Sequence, residues 1–319
     1  MILITGSAGY IGSHVANYFY KKNIPFIGID NFSAGNKKNY FHRYTKRIDI
    51  GNKKLIKKLI KKYNINNVIH TAALSYPVEG EKKRGKYKNN NYYKTLNFIN
   101  SFNKTKINSF IFLSSSNVYS DKSSSAYKEN DKTLPKNIYG KYKLLIEKNL
   151  KKKKFFNKVI ILRLFNVVGF TNSFQFKLHK SKNQRFITKV IRSAFQKRYI
   201  NLNYFRHKKQ LYSPERDFVH IDDVTRIIYL VIKKSKIFDK FNIYNIGSGK
   251  KTSLEEILKK SEKKLNKNIY IKKKIINSKE LNITWCSKNK IERKLSIKIK
   301  NRMNDIINSS IINFKINAR

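Results

Sequence analysis

The chain begins MILITGSAGYIGSHV, an apolar run carried straight into glycines at Gly6, Gly9 and Gly12. Glycine takes positive φ without steric cost and lets another molecule approach the backbone. Between a strand and a helix, such a cluster brings free N–H groups and the positive end of a helix dipole to one point, which suits a pyrophosphate. The next apolar run, PFIGID, ends at Asp30, 18 residues beyond Gly12. A carboxylate there can accept from both hydroxyls of an adenosine ribose and would repel a 2′-phosphate, so the expected cofactor is NAD rather than NADP. Taken alone, the motif also fits a glycine-rich turn with no ligand.

The segments beyond the turn fix the fold class. MILIT, PFIGID, NVIHTA and SFIFLSS are spaced by lysine-studded helical patterns at Tyr10 to Lys22, Lys53 to Tyr63 and from beyond NVIHTA to about Asn103. Short β-branched runs alternating with helices of this length predict an α/β protein with a parallel sheet covered on both faces. A helix from about Tyr139 to Lys153 and the apolar strand KVIILRLFN extend the series. After Gly169 the rhythm breaks: 171–216 reads as polar and irregular around one amphipathic helix, about Ile187 to Arg198. NIYNIGSG then reads as one more strand, and TSLEE as a capping box opening a helix.

At 319 residues the chain can bury a large core. Its single cysteine, Cys286, excludes an internal disulfide, and no apolar stretch approaches the roughly 20 residues of a membrane helix. No charged region precedes the glycine turn, so no secretory signal is read. A soluble, cytoplasmic protein with no membrane partner is expected. The formal net charge of +52 invites a nucleic-acid reading. Of the 71 basic residues, however, only 13 are arginine and 58 are lysines spread along the whole chain. Such charge is usually a solvated face, so no specific nucleic-acid partner is expected; a polyanion-binding protein on a nucleotide-binding scaffold is the non-enzymatic alternative.

The GxxGxxG spacing and several further blocks, in order over nearly the whole chain, resemble the extended short-chain dehydrogenase/reductases, specifically the nucleotide-sugar epimerases. TGSAGYIGSH, with Tyr10 and Ile11, is similar to that family's cofactor turn, and IDNFSAGN to its ribose contact, Asp30 and Asn31. The resemblance places Asp49 and Ile50 at the adenine, HTAAL with Ala72 and Ala73 under the nicotinamide half, and Asn91 where it orders a neighbouring strand. RLFNVVG and ERDFVHIDDV resemble later family blocks. The implied fold is a Rossmann-type doubly wound sheet at 1–169, with a strand and helix returning near 218–265, and a mainly substrate-binding region at 170–319. A homodimer is also implied.

The family's chemistry needs a tyrosine base, although a free phenol has a pKa of about 10. A lysine one helical turn on favours the phenolate. Five tyrosines stand four residues before a lysine, at Tyr18, Tyr139, Tyr204, Tyr229 and Tyr270, which is close to chance with 20 tyrosines and 58 lysines. Position separates them: only Tyr139, with Lys143, opens a helix after a strand ending in Ser114, Ser115 and Ser116. Ser115 aligns with the family's catalytic hydroxyl, and its two neighbours stay open as alternatives.

The resemblance implies that Tyr139 takes the proton of a sugar 4-hydroxyl, giving a transient 4-keto sugar whose configuration is then inverted. The substrate would be a nucleotide-diphosphate hexose such as UDP-glucose or UDP-galactose. Related dehydratases carry an Asp-Glu pair after the catalytic hydroxyl, whereas here Ser116 and Asn117 follow and the nearest later acid is Asp121. A 4,6-dehydratase or a reductase of the same family remains the enzymatic alternative. Asn166, Arg216 and Glu280 fall at substrate-binding positions, Arg216 otherwise reading as a surface partner of Asp217 or Glu215. Asn277 stands where a second phosphate-binding arginine is expected, with Lys279 or Lys274 as substitutes. Thr284, where some relatives have a bulky tyrosine, implies room for N-acetylated sugars. The sequence holds no metal-binding pattern.

Overall fold

The computed structural model describes residues 1–39, 44–121, 125–171, 176–177, 185–207, 210–275 and 282–318. Strands β1 (Ile2–Thr5), β2 (Phe26–Asp30), β3 (Thr45–Arg47), β4 (Asn67–His70), β5 (Ser109–Ser115) and β6 (Val159–Leu164) are interleaved with helices α1 (Tyr10–Lys21), α2 (Lys53–Tyr63), α3 (Pro77–Lys82), α4 (Arg84–Lys88), α5 (Lys94–Asn100) and α6 (Ile138–Lys151). Then come β7 (Asn166–Val168), α7 (Phe186–Gln196), β8 (Ile200–His207), β9 (Gln210–Tyr212), β10 (Glu215–His220), α8 (Ile221–Lys233) and β11 (Phe241–Ile246). The chain closes with β12 (Lys251–Ser253), α9 (Leu254–Leu265), β13 (Ile271–Ile275), β14 (Ile283–Thr284), α10 (Asn289–Leu295) and α11 (Met303–Ala318).

Seven strands form one parallel sheet in the order β11-β6-β5-β4-β1-β2-β3. This is the doubly wound α/β sheet expected from the alternation of short apolar runs and helices. Every residue of β1, β2 and β5 is buried, as parallel strands covered on both faces require. Alternate residues feed opposite faces. Ile4 and Ile111 pack with Val15, Phe19, Val224 and Ile228 of α1 and α8, while Leu3 and Phe110 pack with Ile56, Leu59 and Phe98 of α2 and α5. The strand order reverses between β1 and β4, which opens a crevice at their carboxyl ends.

Three expectations need correction. The helix expected to run unbroken to about Asn103 is α3, α4, a π-helical turn at Asn89–Tyr93 and α5, ending at Asn100. Asn91 sits in that turn, where its amide exchanges hydrogen bonds with the backbone of Leu74 (2.9 and 2.8 Å). KVIILRLFN is two strands: Phe165 breaks it, donating its N–H to the Ile246 carbonyl, and β7 pairs with β10. The stretch before Arg216 also holds β8, which pairs with β13, because Leu202 and Tyr204 alternate inward onto Val190, Ala194 and Leu258 of α7 and α9. Ser253 does cap α9, its Oγ accepting from the Glu256 N–H (3.0 Å). Among the described residues no helix is long and apolar enough to cross a membrane.

Candidate active site

A cavity of about 440 Å³ lies at the carboxyl ends of β1, β2, β4 and β5. Gly6, Gly9, Tyr10, Ile11 and Gly12 line one side. Gly6 takes a left-handed φ of +65°, and a Cβ on Gly12 would stand 2.1 Å from the Gly6 carbonyl oxygen, so the turn closes only with glycine at both places. Helix α1 begins there with no side-chain cap and no acidic residue in its first turn. Free N–H groups therefore face the cavity, as an anionic pyrophosphate requires.

Asp30 and Asn31 extend this wall. The buried Asp30 carboxylate accepts from the N–H groups of Ala8 (3.0 Å) and Phe32 (2.7 Å); burial raises its pKa above the usual carboxylate range, against those hydrogen bonds. Asn31 donates to Asp49 (2.7 Å), which Lys94 also holds (2.6 Å). Burial alone would raise the Asp49 pKa, but Lys94, Asn31 and the Gly51 N–H outweigh it and hold it low. Ile29, Ile48 and Ile50 supply an apolar wall suited to adenine, and Ala72 and Ala73 line the far side. Glycine turn, uncapped helix start, buried acid and apolar slot together fit a dinucleotide.

Tyr139 and Lys143 form the other end of the cavity. Asn137 caps α6, its side chain accepting from the Gly140 N–H (2.8 Å). A Cβ on Gly140 would stand 2.1 Å from the Asn117 carbonyl oxygen. That glycine lets the first turn of α6 press against the end of β5, which brings the Tyr139 phenol near the Ser115 hydroxyl. Burial pushes the phenol pKa up to about 12, opposed by the Ser115 hydroxyl and the charge of Arg185. Burial pulls the Lys143 ammonium down to about 7, opposed by Glu147, and its Nζ donates to the Leu113 carbonyl (2.6 Å).

The three serines have separate surroundings. Ser114 donates to Glu147 (2.5 Å), which also receives Arg163 (2.7 and 3.1 Å). Ser115 accepts from the backbone and side-chain nitrogens of Asn117 (3.2 and 3.1 Å) and lies near the phenol, whose pKa it lowers. Ser116 opens a 3-10 turn. Of the five tyrosines placed before a lysine, Tyr139 alone lines the cavity: Tyr18 packs on Tyr229, Tyr204 bonds Glu255, and Tyr270 packs on Tyr199.

The substrate-side positions are arranged differently. Asn166 pairs with Phe218 through β7 and β10, and Thr284 is buried opposite Arg216 in the β10–β14 register. Arg216 donates to the carbonyl oxygens of Asn282 (2.7 Å) and Glu215 (3.0 Å). The carboxylates named for it are engaged elsewhere, Glu215 by Lys251 (2.9 Å) and Asp217 by the N–H groups of Ser248, Gly249 and Cys286. None of these three substrate positions lines the cavity. Lys274 lies exposed on β13; Glu280, Asn277 and Lys279 lie outside the described residues. Asp121 pairs with Lys136 (2.5 Å). Sequence reasoning missed Arg185, Thr188 and Phe176 in the cavity wall; they come from a region with no motif, and only the folded chain brings them to the glycine turn. Among the described residues no cluster could hold a metal ion.

Comparison with known proteins agrees with this arrangement. The model of the NAD dependent epimerase/dehydratase family matches residues 2–247. UDP-glucose 4-epimerase of Pisum sativum is 27% identical over 321 aligned positions, covering 94% of this chain and 91% of its own. That of Halalkalibacterium halodurans is 26% identical over 265, covering 81% and 78%. The crystal structure of UDP-glucose 4-epimerase from Brucella ovis in complex with NAD superposes with a TM-score of 0.91 at 22% identity, covering 98% of both chains. At that identity it speaks for the fold.

Proposed function

Because the chain belongs to the NAD dependent epimerase/dehydratase family, we propose that it is an NAD-dependent nucleotide-sugar 4-epimerase of UDP-hexoses, working through Ser115, Tyr139 and Lys143. The observation that carries this reading is Tyr139 with Lys143 at one end of a cavity whose other end holds the glycine turn and Asp30, with Ser115 near enough to the phenol to lower its pKa. Gly6, Gly9, Tyr10, Ile11 and Gly12 would hold the pyrophosphate of NAD; Asp30 and Asn31 its ribose; Asp49, through Asn31, and Ile50 its adenine end; Ala72 and Ala73, with the loop braced by Asn91, its nicotinamide half. Bound there, NAD supplies a hydride acceptor and a positively charged ring.

The remaining steps belong to the chain. The Ser115 and Tyr139 hydroxyls hold the sugar 4-hydroxyl oxygen, Tyr139 takes its proton as C4 becomes a ketone, and returns it when the C4–H bond is remade on the other face. Lys143, one helical turn on, favours the phenolate by its charge. Asn117 orients Ser115 and stands where a dehydratase would carry an acid, which favours epimerisation over elimination. On the substrate side we assign Asn166, Arg216, Glu280 and Thr284, with residues 170–319 mainly covering the sugar nucleotide, 1–169 with the return near 218–265 holding NAD, and a homodimer in the cytoplasm as the working unit.

Native mass spectrometry of the purified chain tests for retained NAD, and incubation with UDP-glucose for UDP-galactose. Epimer formation without accumulating reduced cofactor is expected; steady accumulation would point to a reductase or dehydrogenase. We also assign N-acetylated hexoses to the substrate range. If wild type prefers UDP-galactose to UDP-N-acetylgalactosamine by about a hundredfold, and Thr284→Tyr leaves that ratio unaltered, Thr284 is no gate.

A further inference from the structure

Arg185, the residue before α7, lines the cavity and is half-buried. No hydrogen bond or ion pair with a described residue engages its guanidinium. What holds it is an aromatic platform: the guanidinium carbon lies 3.6 Å from the centroid of the Tyr10 ring. That ring is itself anchored, its hydroxyl donating to the Gly169 carbonyl (2.5 Å) and its plane meeting Phe170 and Phe176 nearly at right angles. Stacking occupies one face of the guanidinium and leaves its N–H edges for a ligand. Its charge is felt both at Tyr10, beside the glycine turn, and at Tyr139. The acids in the cavity wall are committed elsewhere: Asp30 accepts from Ala8 and Phe32, and Glu79 pairs with Lys83 (3.3 Å).

A planar cation pre-aligned in the wall of a ligand cavity, without a counter-ion among the described residues, calls for an anionic ligand. We propose that Arg185 is a diphosphate-holding residue, forking onto non-bridging phosphate oxygens between the glycine turn and Tyr139. A bidentate contact of this kind supplies geometry as well as charge, which a lysine cannot match. The proposal rests on the function assigned above, under which two diphosphates enter this cavity, that of NAD and that of the sugar nucleotide.

Titration of the full chain with four probes decides between them. NAD against adenosine reports on the cofactor side; UDP against uridine, with the protein saturated in NAD, reports on the sugar-nucleotide side. Arg185→Gln should weaken the diphosphate-bearing member of one pair by about 10- to 100-fold while its nucleoside partner stays within about twofold. The pair that responds identifies the diphosphate held. Arg185→Lys should recover part of the loss. Unchanged affinity for all four probes overturns the proposal, and so does an equal loss for nucleoside and diphosphate, which would mark general damage visible as a lower melting temperature. A wild-type chain that binds neither NAD nor UDP removes the assigned function and this proposal together; normal wild-type binding with an indifferent variant removes the proposal alone.

Discussion

The two sides of the site are built by different means. On the dinucleotide side each group follows a sheet strand within a few residues: the glycine turn after β1, Asp30 and Asn31 at the end of β2, Ala72 and Ala73 after β4, Ser114 and Ser115 at the end of β5. At the positions proposed for the substrate, Asn166 and Thr284 sit on the three- and two-residue strands β7 and β14 and Arg216 near the start of the six-residue β10, whose relative placement depends on pairings between distant segments. The difference teaches where a motif carries its own geometry. A parallel strand buried on both faces has its register and direction imposed by its neighbours, so the residue after it can point only into the crevice. A two- or three-residue strand at the margin has no such constraint, and its alignment with a motif says little about which way its side chain faces.

The strongest test of this contrast lies at the proposed catalytic pair, Ser115 at the end of β5 and Tyr139 at the start of α6. Tyr139→Phe should lower turnover by roughly 10³- to 10⁴-fold with NAD binding retained, and Ser115→Ala by about 10²-fold. Ser114→Ala, which loses a bond to Glu147, should act chiefly on stability, by about 1.5–3 kcal/mol for a hydrogen bond to a charged group. Equal damage from Tyr18→Phe or Tyr204→Phe would show that position does not single out the base among the YxxxK tyrosines. Next comes Asp30→Ala, expected to weaken NAD by about tenfold while improving NADP relative to it, read by titrating both dinucleotides. Unchanged discrimination would show that the β2 end does not read the ribose.

A further test, of stability and not of ligand binding, concerns Lys143. Its ammonium titrates near 7 in the folded protein against an ordinary 10.5, because burial disfavours the charge. The folded state therefore carries the full cost of that charge below about pH 7, and the cost fades as pH rises toward 10.5. Lys143→Met should raise the melting temperature at pH 6, with the gain shrinking as the pH climbs above 7. A gain independent of pH would mean that the Leu113 carbonyl and Glu147 already compensate the ammonium.

Much of the fold was legible because β-branched runs alternating with amphipathic helices admit few other solutions. Ser115 is singled out as the candidate serine by alignment, with Ser114 and Ser116 left open, since identical neighbours on a strand differ only by which face they meet: Ser114 bonds Glu147, and Ser115 lies near Tyr139. The strand β8 was not read, although Ile200, Leu202 and Tyr204 alternate inward with Asn201 and Asn203, because that short alternation is set in a stretch otherwise polar. Gly140 carried a signal that could have been used, a glycine directly after the expected base where α6 meets Asn117.

By itself the sequence determined the parallel sheet, the glycine turn and the acid at the next strand end, because each is set by interactions within a strand and its adjoining turn. Tertiary structure alone decided that Arg216 is bonded to the carbonyls of Glu215 and Asn282 and that Arg185 lies on the ring of Tyr10. Those outcomes depend on contacts between segments far apart in the chain, and no local pattern encodes the direction from which a distant side chain arrives.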